Sequence, residues 1–234
     1  FDTWKKAGVI PHVQQLSSSY TGAAHIFIED STGDNAIIIA PGAAALIDIA
    51  DIQAHATLIA DADVFVTQLE QPMDAAMCGL EIARAAGVTT VLNPAPAAIL
   101  PEGMLALCDY VTPNETECEF LTGISVQTQS QAKQACDALR DLGVGTPIIT
   151  MGEQGAFVHG HGLVPAVIAG EVIETTGAGD AFNGGFAAAL AEKRTPLDAA
   201  RYGCATAGIS VTKAGTAPSM PSRDMVDKLM RLGN

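Results

Sequence analysis

Positive charge is scarce in this sequence. Its 12 Lys and Arg stand against 26 Asp and Glu, for a formal net charge of −14. A chain that acidic repels a phosphate backbone, which argues against nucleic acid as a partner. Aromatic residues are few, at 5% with a single Trp; Trp4 and Phe1 are expected to pack on the core rather than stack on a base. Long apolar runs are missing, none approaching the ~18 residues of a membrane span, so no membrane partner is expected. Cysteine pairs at metal or redox spacing are missing too. Cys78, Cys108, Cys118, Cys136 and Cys204 are scattered, odd in number and without a C-x-x-C pair. They read as buried free thiols of a cytoplasmic protein, not a zinc site or disulfide framework. No secretory signal is visible, and the sequence starts at Phe1 rather than Met, which leaves its native start open.

What is present is a chain of 234 residues, 48% of them hydrophobic, enough for one large unit with a small appendage. From about Ala62 onward, short apolar strands alternate with helical stretches. VFVTQLE (64–70) reads as a buried strand, followed by a helix with Pro72 near its start and Gly87 near its end. TTVLNPAPA is a strand running into a Pro-rich loop, and YVTPNETE a short strand and loop. SQAKQACDALRDLG is a helix closed by Gly143, TPIITMG the next strand, and 156–174 has the glycine punctuation of a β-meander. Helices are predicted over 178–193 and 197–213, with Thr195 as N-cap and Pro196 in the first helical position of the second. This rhythm predicts an α/β fold with a doubly wound, mainly parallel sheet flanked by helices. Residues 20–41 form a hairpin-like pair with no intervening helix, predicting a small β flap. His159 and His161 fall in a turn and lack a third ligand.

The sharpest feature is TTGAGDAFNGG (175–185). Glycines at 177, 179, 184 and 185 free the backbone to approach an anion, yet Asp180 would repel one. A Walker loop fails because Gly185 and Phe186 stand where Lys and Ser or Thr are required. The dinucleotide fingerprint fails because position 182 is Phe. What remains is a strand (EVIET), a glycine turn and an Ala-rich helix, with the N–H groups of Gly177, Ala178 and Gly179 forming an anion hole at its N-terminus. An acid in a first helical turn is by itself a dipole or capping group. Beside an N–H cradle it has a second use, because phosphoryl transfer needs charge-stabilising donors next to a base for the attacking hydroxyl.

TTGAGDAF resembles the C-terminal signature of the ribokinase-like sugar kinases, the phosphofructokinase B superfamily. NPAPA (93–97), TPNETE (112–117) and ITMGEQG (149–155) agree in order and spacing, and NPAPA narrows the likeness toward the ribose-specific branch. The resemblance implies ATP-dependent phosphorylation of the primary hydroxyl of a small sugar, D-ribose at O5, with Mg2+ required and K+ as activator. It makes Asp180 the catalytic base and Gly177, Ala178 and Gly179 the anion hole. Asn114 and Glu117 would hold magnesium, partly through water; a charged pair in a loop is otherwise solvated surface. Thr150, Met151, Gly152, Glu153, Gln154 and Gly155 would line the nucleotide, with Thr150 and Gly152 the main contacts. Cys204 stands where the family commonly has a histidine near adenine. Glu70, at the carboxyl edge of its strand, would hydrogen-bond the sugar. The potassium set would be Glu174, Thr176, Ser210, Lys213, Gly215 and Ser219, with Glu174 in place of the usual Asp.

The resemblance also implies an N-terminal strand, sugar-binding acid and glycine-rich segment, none of which is in the sequence. Residues 1–19 then read as the remnant of an upstream helix and loop, 20–41 as the flap, and 42–234 as the nucleotide-binding and catalytic core. The sequence is either a fragment or a natural truncation. The 234 residues alone are expected to bind Mg·ATP weakly, phosphorylate ribose negligibly and associate. A homodimer through the flap is implied. A sister kinase for another sugar, sugar acid or nucleoside, and a nucleotide-binding module without kinase activity, are the alternatives.

Overall fold

Most helices here begin and end on recognisable local chemistry. In the structure, a computed structural model that describes residues 1–28 and 35–232, α1 (Asp2–Lys6) precedes two strands, β1 (Thr21–Ile28) and β2 (Asn35–Gly42). These pair antiparallel, Thr21 opposite Gly42 and His25 opposite Ile38, as a separate two-stranded sheet. Residues 29–34, most of the expected DSTGDN turn, lie outside the described residues. α2 (Ile49–Ala54) opens on a capping box between Asp48 and Asp51, and α3 (Ala56–Ala60) follows.

The main body then runs β3 (Val64–Thr67), α4 (Met73–Ala86), β4 (Thr89–Leu92), β5 (Tyr110–Val111), α5 (Glu115–Thr122), α6 (Gln129–Asp141) and β6 (Thr146–Thr150). β7 (Gly155–Val158), β8 (Gly162–Pro165), α7 (Ala178–Ala191), α8 (Pro196–Ser210) and α9 (Arg223–Leu232) complete it. α4 has Pro72 at its N-cap, Asp74 in its first turn, Arg84 in its last, and Gly87 in the left-handed conformation at φ 75°. Each of these relieves an orphan backbone group or complements the helix dipole. α6 carries a Thr128–Gln131 capping box; α8 is capped by Thr195, which accepts from the Asp198 N–H, with Pro196 at its start.

The sheet order is β3-β4-β5-β6-β7-β8, parallel as far as β6 and antiparallel beyond. Adjacent strand residues point to opposite faces, and the core divides accordingly. Leu92, Val111 and Ile149 pack with Leu80 of α4, Cys118 of α5 and Leu139 of α6. Val91, Ile148 and Val158 pack on the other side with Phe182 and Phe186 of α7 and Ala205 of α8. Helices thus cover both faces of a mainly parallel sheet. α7 and α8 cross closely because a Cβ on Gly203 would lie 2.9 Å from the Phe182 carbonyl oxygen.

Four expectations are corrected. β3 ends at Thr67, short of Glu70, and Val66 is 40% exposed because β3 is a sheet edge among the described residues. EVIET is not a strand: the Ile173 and Glu174 N–H groups both donate to the Val211 carbonyl, and no ladder forms. The meander stops at β8. Phe1 and Trp4 do not reach the core; they contact each other edge to face at 5.6 Å, both exposed.

Candidate active site

Gly177 shapes the centre of the site. At φ 79° it turns the chain left-handed into α7, and a Cβ there would meet the Thr216 methyl at 3.3 Å. The Ala178 N–H donates to the Thr175 carbonyl at 3.1 Å. Among the described residues, the N–H groups of Gly177, Gly179 and Asp180 have no partner. The open cradle therefore differs from the expected trio, since Ala178 is engaged and the N–H of Asp180 itself takes its place. No side chain caps this helix end.

The Asp180 carboxylate lines two clefts, one on either flank of α7. The larger, about 500 Å³, is lined by Thr67, Gln68, Gln71, Asn93 and Asn183 together with apolar residues such as Phe65 and Ala76. The smaller, about 280 Å³, has Tyr202, Thr206 and Arg223 among its walls. Gln68 Nε2 donates to Asp180 Oδ1 at 3.3 Å. Although Asp180 keeps solvent-exposed surface, the cleft walls push its carboxyl above the ordinary range by removing water around it. A capping or dipole-stabilised acid would shift the other way.

The turn after β5 supplies a second group. NETE is not a loop but the first turn of α5. Asn114 Oδ1 accepts from the Glu117 N–H at 2.8 Å, and Glu117 Oε2 accepts from the Asn114 N–H at 2.9 Å, a complete capping box. Glu117 is not solvated surface. It is buried, which raises its carboxyl, partly offset by the Asn114 N–H. The Thr150 N–H donates to the Pro113 carbonyl at 2.9 Å, which joins the end of β6 to this turn. The turn is tied to α7 as well: Thr112 Oγ1 donates to Asn183 Oδ1 at 2.7 Å, and Asn183 Nδ2 donates to the Gly179 carbonyl at 3.0 Å.

An unpartnered N–H cradle, a carboxyl held above its usual range and a capped acidic turn converge on the carboxyl side of a parallel sheet. The family of pfkB carbohydrate kinases matches residues 1–223. The chain belongs to that family. The ribokinase of Haemophilus influenzae is 41% identical to it over 215 residues, covering 91% of this chain and 70% of that protein. The solved ribokinase of Thermotoga maritima superposes with a TM-score of 0.85 at 31% identity, covering 98% of this chain and 75% of the other. The Arabidopsis thaliana ribokinase solved with ribose and ATP gives 0.82 at 30% identity, covering 91% and 70%.

The rest of the expected site of this kinase is unevenly assembled. Along Thr150–Gly155, Gly152, Glu153 and Gln154 are exposed and Thr150 is half-buried. Met151 is corrected to the core, 1% exposed among Leu92, Val111 and Ile149. Gly155 is also structural: it sits at φ 111°, and a Cβ there would lie 2.5 Å from the Ala166 nitrogen. Cys204 is buried in the core on α8, and burial pushes its thiol up to about 12, so it offers no surface to an adenine ring. Glu70 is exposed beyond β3, whereas Gln68 and Gln71 face the larger cleft.

Of the potassium set, the structure joins Glu174, Thr176 and Gly215, and separately Ser210 and Lys213. Glu174 Oε2 accepts from the Gly215 N–H at 2.8 Å and the carboxylate also bonds Thr176, which together hold its carboxyl below the ordinary range. The buried Ser210 and Ser219 turn their hydroxyls onto the Ala207 and Thr216 carbonyls. The Lys213 N–H donates to the Ser210 carbonyl. No group of three or more His, Cys, Asp and Glu placed to hold a metal occurs among the described residues. The donor chemistry here is one carboxylate with carbonyls and hydroxyls, hard oxygen ligands with no thiolate or imidazole among them. The sequence reading missed Gln68, Thr112 and Asn183. Asn183 had a signal, as a polar residue one turn past Asp180 on an otherwise Ala-, Gly- and Phe-rich helix.

Proposed function

We propose that this kinase transfers the γ-phosphoryl group of ATP to O5 of D-ribose. The observation that carries the reading is Asp180, whose carboxyl is raised by its surroundings and which stands in the same helical turn as three N–H groups without a partner among the described residues. Similarity to proteins named ribokinase, one of them solved with ribose and ATP, supplies the sugar. Asp180 takes the proton of the sugar's primary hydroxyl as that oxygen bonds the γ-phosphorus. The bond from phosphorus to the β–γ bridging oxygen breaks, and ADP leaves. The N–H groups of Gly177, Gly179 and Asp180 receive the charge on the transferring oxygens, where fixed donors act without reorganisation. Gln68 orients the carboxylate. Thr150, Gly152, Glu153 and Gln154 line the nucleotide.

Magnesium, when bound, screens the phosphates from Asp180. Asn114 and Glu117 would hold it through the oxygen capacity their capping bonds leave free, partly by way of water. Potassium would lie beside the cradle, on Glu174 and the carbonyls of its neighbours. The buried free thiols support a cytoplasmic setting. The β1–β2 flap supports a homodimer contact, because Ile38 and Ile39, on alternate faces of β2, are 60% and 53% exposed.

ADP release measured with ribose, deoxyribose, fructose, a sugar acid and a nucleoside tests the reading. Ribose-dependent release exceeding the others is expected, small in absolute rate for the 234 residues alone. ATP binding without turnover on any acceptor would replace it with a nucleotide-binding module, and a stronger response to another acceptor with a sister kinase.

A further inference from the structure

The Thr112–Asn183–Gly179 chain of hydrogen bonds lies in the interior, yet both of its ends reach the candidate site. Asn183 is 7% exposed and Thr112 2%. Thr112 Oγ1 donates to Asn183 Oδ1 at 2.7 Å, which fixes the way the amide faces, and Asn183 Nδ2 then donates to the Gly179 carbonyl at 3.0 Å. That carbonyl belongs to the same peptide unit as the Asp180 N–H, one of the cradle's open donors. A hydrogen bond accepted by the oxygen of a peptide polarises its N–H and holds the peptide plane. At the other end, Thr112 stands two residues before Asn114, at the head of the acidic turn.

We propose that Asn183 is a positioning residue for phosphoryl transfer, setting the Asp180 N–H and registering the α7 cradle against the β5–α5 turn through Thr112. This role rests on the kinase reading above; although Asn183 lies in the wall of the larger cleft, the role assigned to it is exerted through the Gly179 carbonyl and the Asp180 N–H. An apolar residue would pack at position 183, since its neighbours on α7 include Phe182 and Phe186 in the core. The amide here does what Leu could not: it connects two elements whose sequence separation is 71 residues. Misplacing a cradle donor by about 1 Å is enough to lower turnover by up to ~10²-fold.

The test uses the full chain with magnesium. Calorimetry gives affinities for ADP and for the β,γ-imido analogue of ATP, alongside kcat for ribose-dependent ADP release and a thermal melt of each variant. Thr112→Val removes the donor at nearly constant shape, Asn183→Leu removes the amide, and Thr112→Ser restores the hydroxyl. The expected result is a fall of about tenfold or more in kcat for Thr112→Val and Asn183→Leu. Affinity for the imido analogue should weaken by more than affinity for ADP, KM for ribose should hold in Thr112→Val, whose side chain does not line the larger cleft, and Thr112→Ser should recover most of the loss. The double variant should lose no more than the worse single, as coupled residues do. A merely structural role would lower both affinities together and track the melting temperature, and that result overturns the proposal. Parental kcat and affinities in the folded variants overturn it as well, leaving the kinase reading intact. Failure of the parent chain to bind either nucleotide overturns both.

Discussion

Replacing Asp180 by Asn separates chemistry from architecture, because the amide keeps the size of the carboxyl and its Oδ1 can still accept from Gln68 Nε2, now at 3.3 Å. The Asp180 side chain caps no backbone group, so the entry of α7 should be unchanged. What disappears is the proton acceptor, and loss of a general base lowers turnover by ~10²–10⁴-fold. Stability should move the opposite way. Desolvation raises the folded-state carboxyl above its ordinary 3.8, so the fold disfavours the ionised form. That penalty is absent below the unfolded pKa and complete once pH exceeds the folded pKa. At neutral pH, Asp180→Asn should therefore melt at or above the parent temperature, and the gap should close as pH falls toward 3.8. In the parent, kcat should decline as pH drops through the raised value. Thermal melts across pH and an ADP-release assay at saturating ribose check each part. Near-parental kcat in the variant, or a melting temperature low enough to explain the lost activity, would refute the assignment and return Asp180 to a structural role.

Other substitutions test the supporting shell. Gly155→Ala forces a side chain against the Val164 carbonyl at φ 111° and should destabilise the fold by roughly 2–4 kcal/mol, read from denaturant midpoints. Asn114→Ala removes one arm of the α5 capping box and should lower stability by about 1 kcal/mol; if Asn114 also serves the nucleotide, KM for Mg·ATP rises in the same variant. Glu174→Asp shortens a carboxylate that already holds the Gly215 N–H at 2.8 Å. A KCl titration of rate, with NaCl as control, should steepen in that variant, whereas a strong parental response left unchanged would reject Glu174 as the feature that sets it.

Features written in adjacent residues were legible in the sequence. Pro72 and Gly87 bracket α4, Thr195 and Pro196 start α8, and Gly143 follows α6, because capping chemistry is completed within a few residues. Strand extent was not. VFVTQLE and EVIET have the composition of strands, but a strand exists only where a partner lies alongside; among the described residues β3 pairs on one side alone, and the segment before Gly177 donates to a helix end instead. The nucleotide row divided at single-residue resolution: Met151 and Gly155 turn inward while the three residues between them face out, a register set by β6 and β7 pairing and invisible in a linear motif. The capping box of Asn114 and Glu117 is readable from the N-x-x-E spacing itself. The Thr112–Asn183 bond spans 71 residues and no local pattern announces it.

A chain of net charge −14 that binds a polyanion needs a source of positive potential, and basic side chains near the candidate site are few: Arg223 in the wall of the smaller cleft is already paired with Glu192. The residues proposed to hold the nucleotide (Asn114, Glu117, Thr150, Gly152, Glu153, Gln154, Gly177, Gly179 and Asp180) include no Lys or Arg. Beyond magnesium carried by the nucleotide, the attraction has to come from open N–H groups and the N-terminal dipole of α7, acting over one helical turn. N–H groups in direct contact with a phosphate lie well inside a Debye length and are screened less than the long-range repulsion from the acidic surface, the Debye length falling from about 10 Å at 0.1 M to 3 Å at 1 M. A site lined by Lys and Arg behaves in the opposite way, losing affinity as salt rises. At fixed magnesium, the affinity for ATP should therefore hold steady or improve as tetramethylammonium chloride is raised, a salt chosen to leave any potassium effect aside. Calorimetry across that series gives the answer: a tenfold loss of affinity would mean that basic side chains carry the phosphates, and that the N–H cradle at Gly177–Asp180 is not the principal anion site.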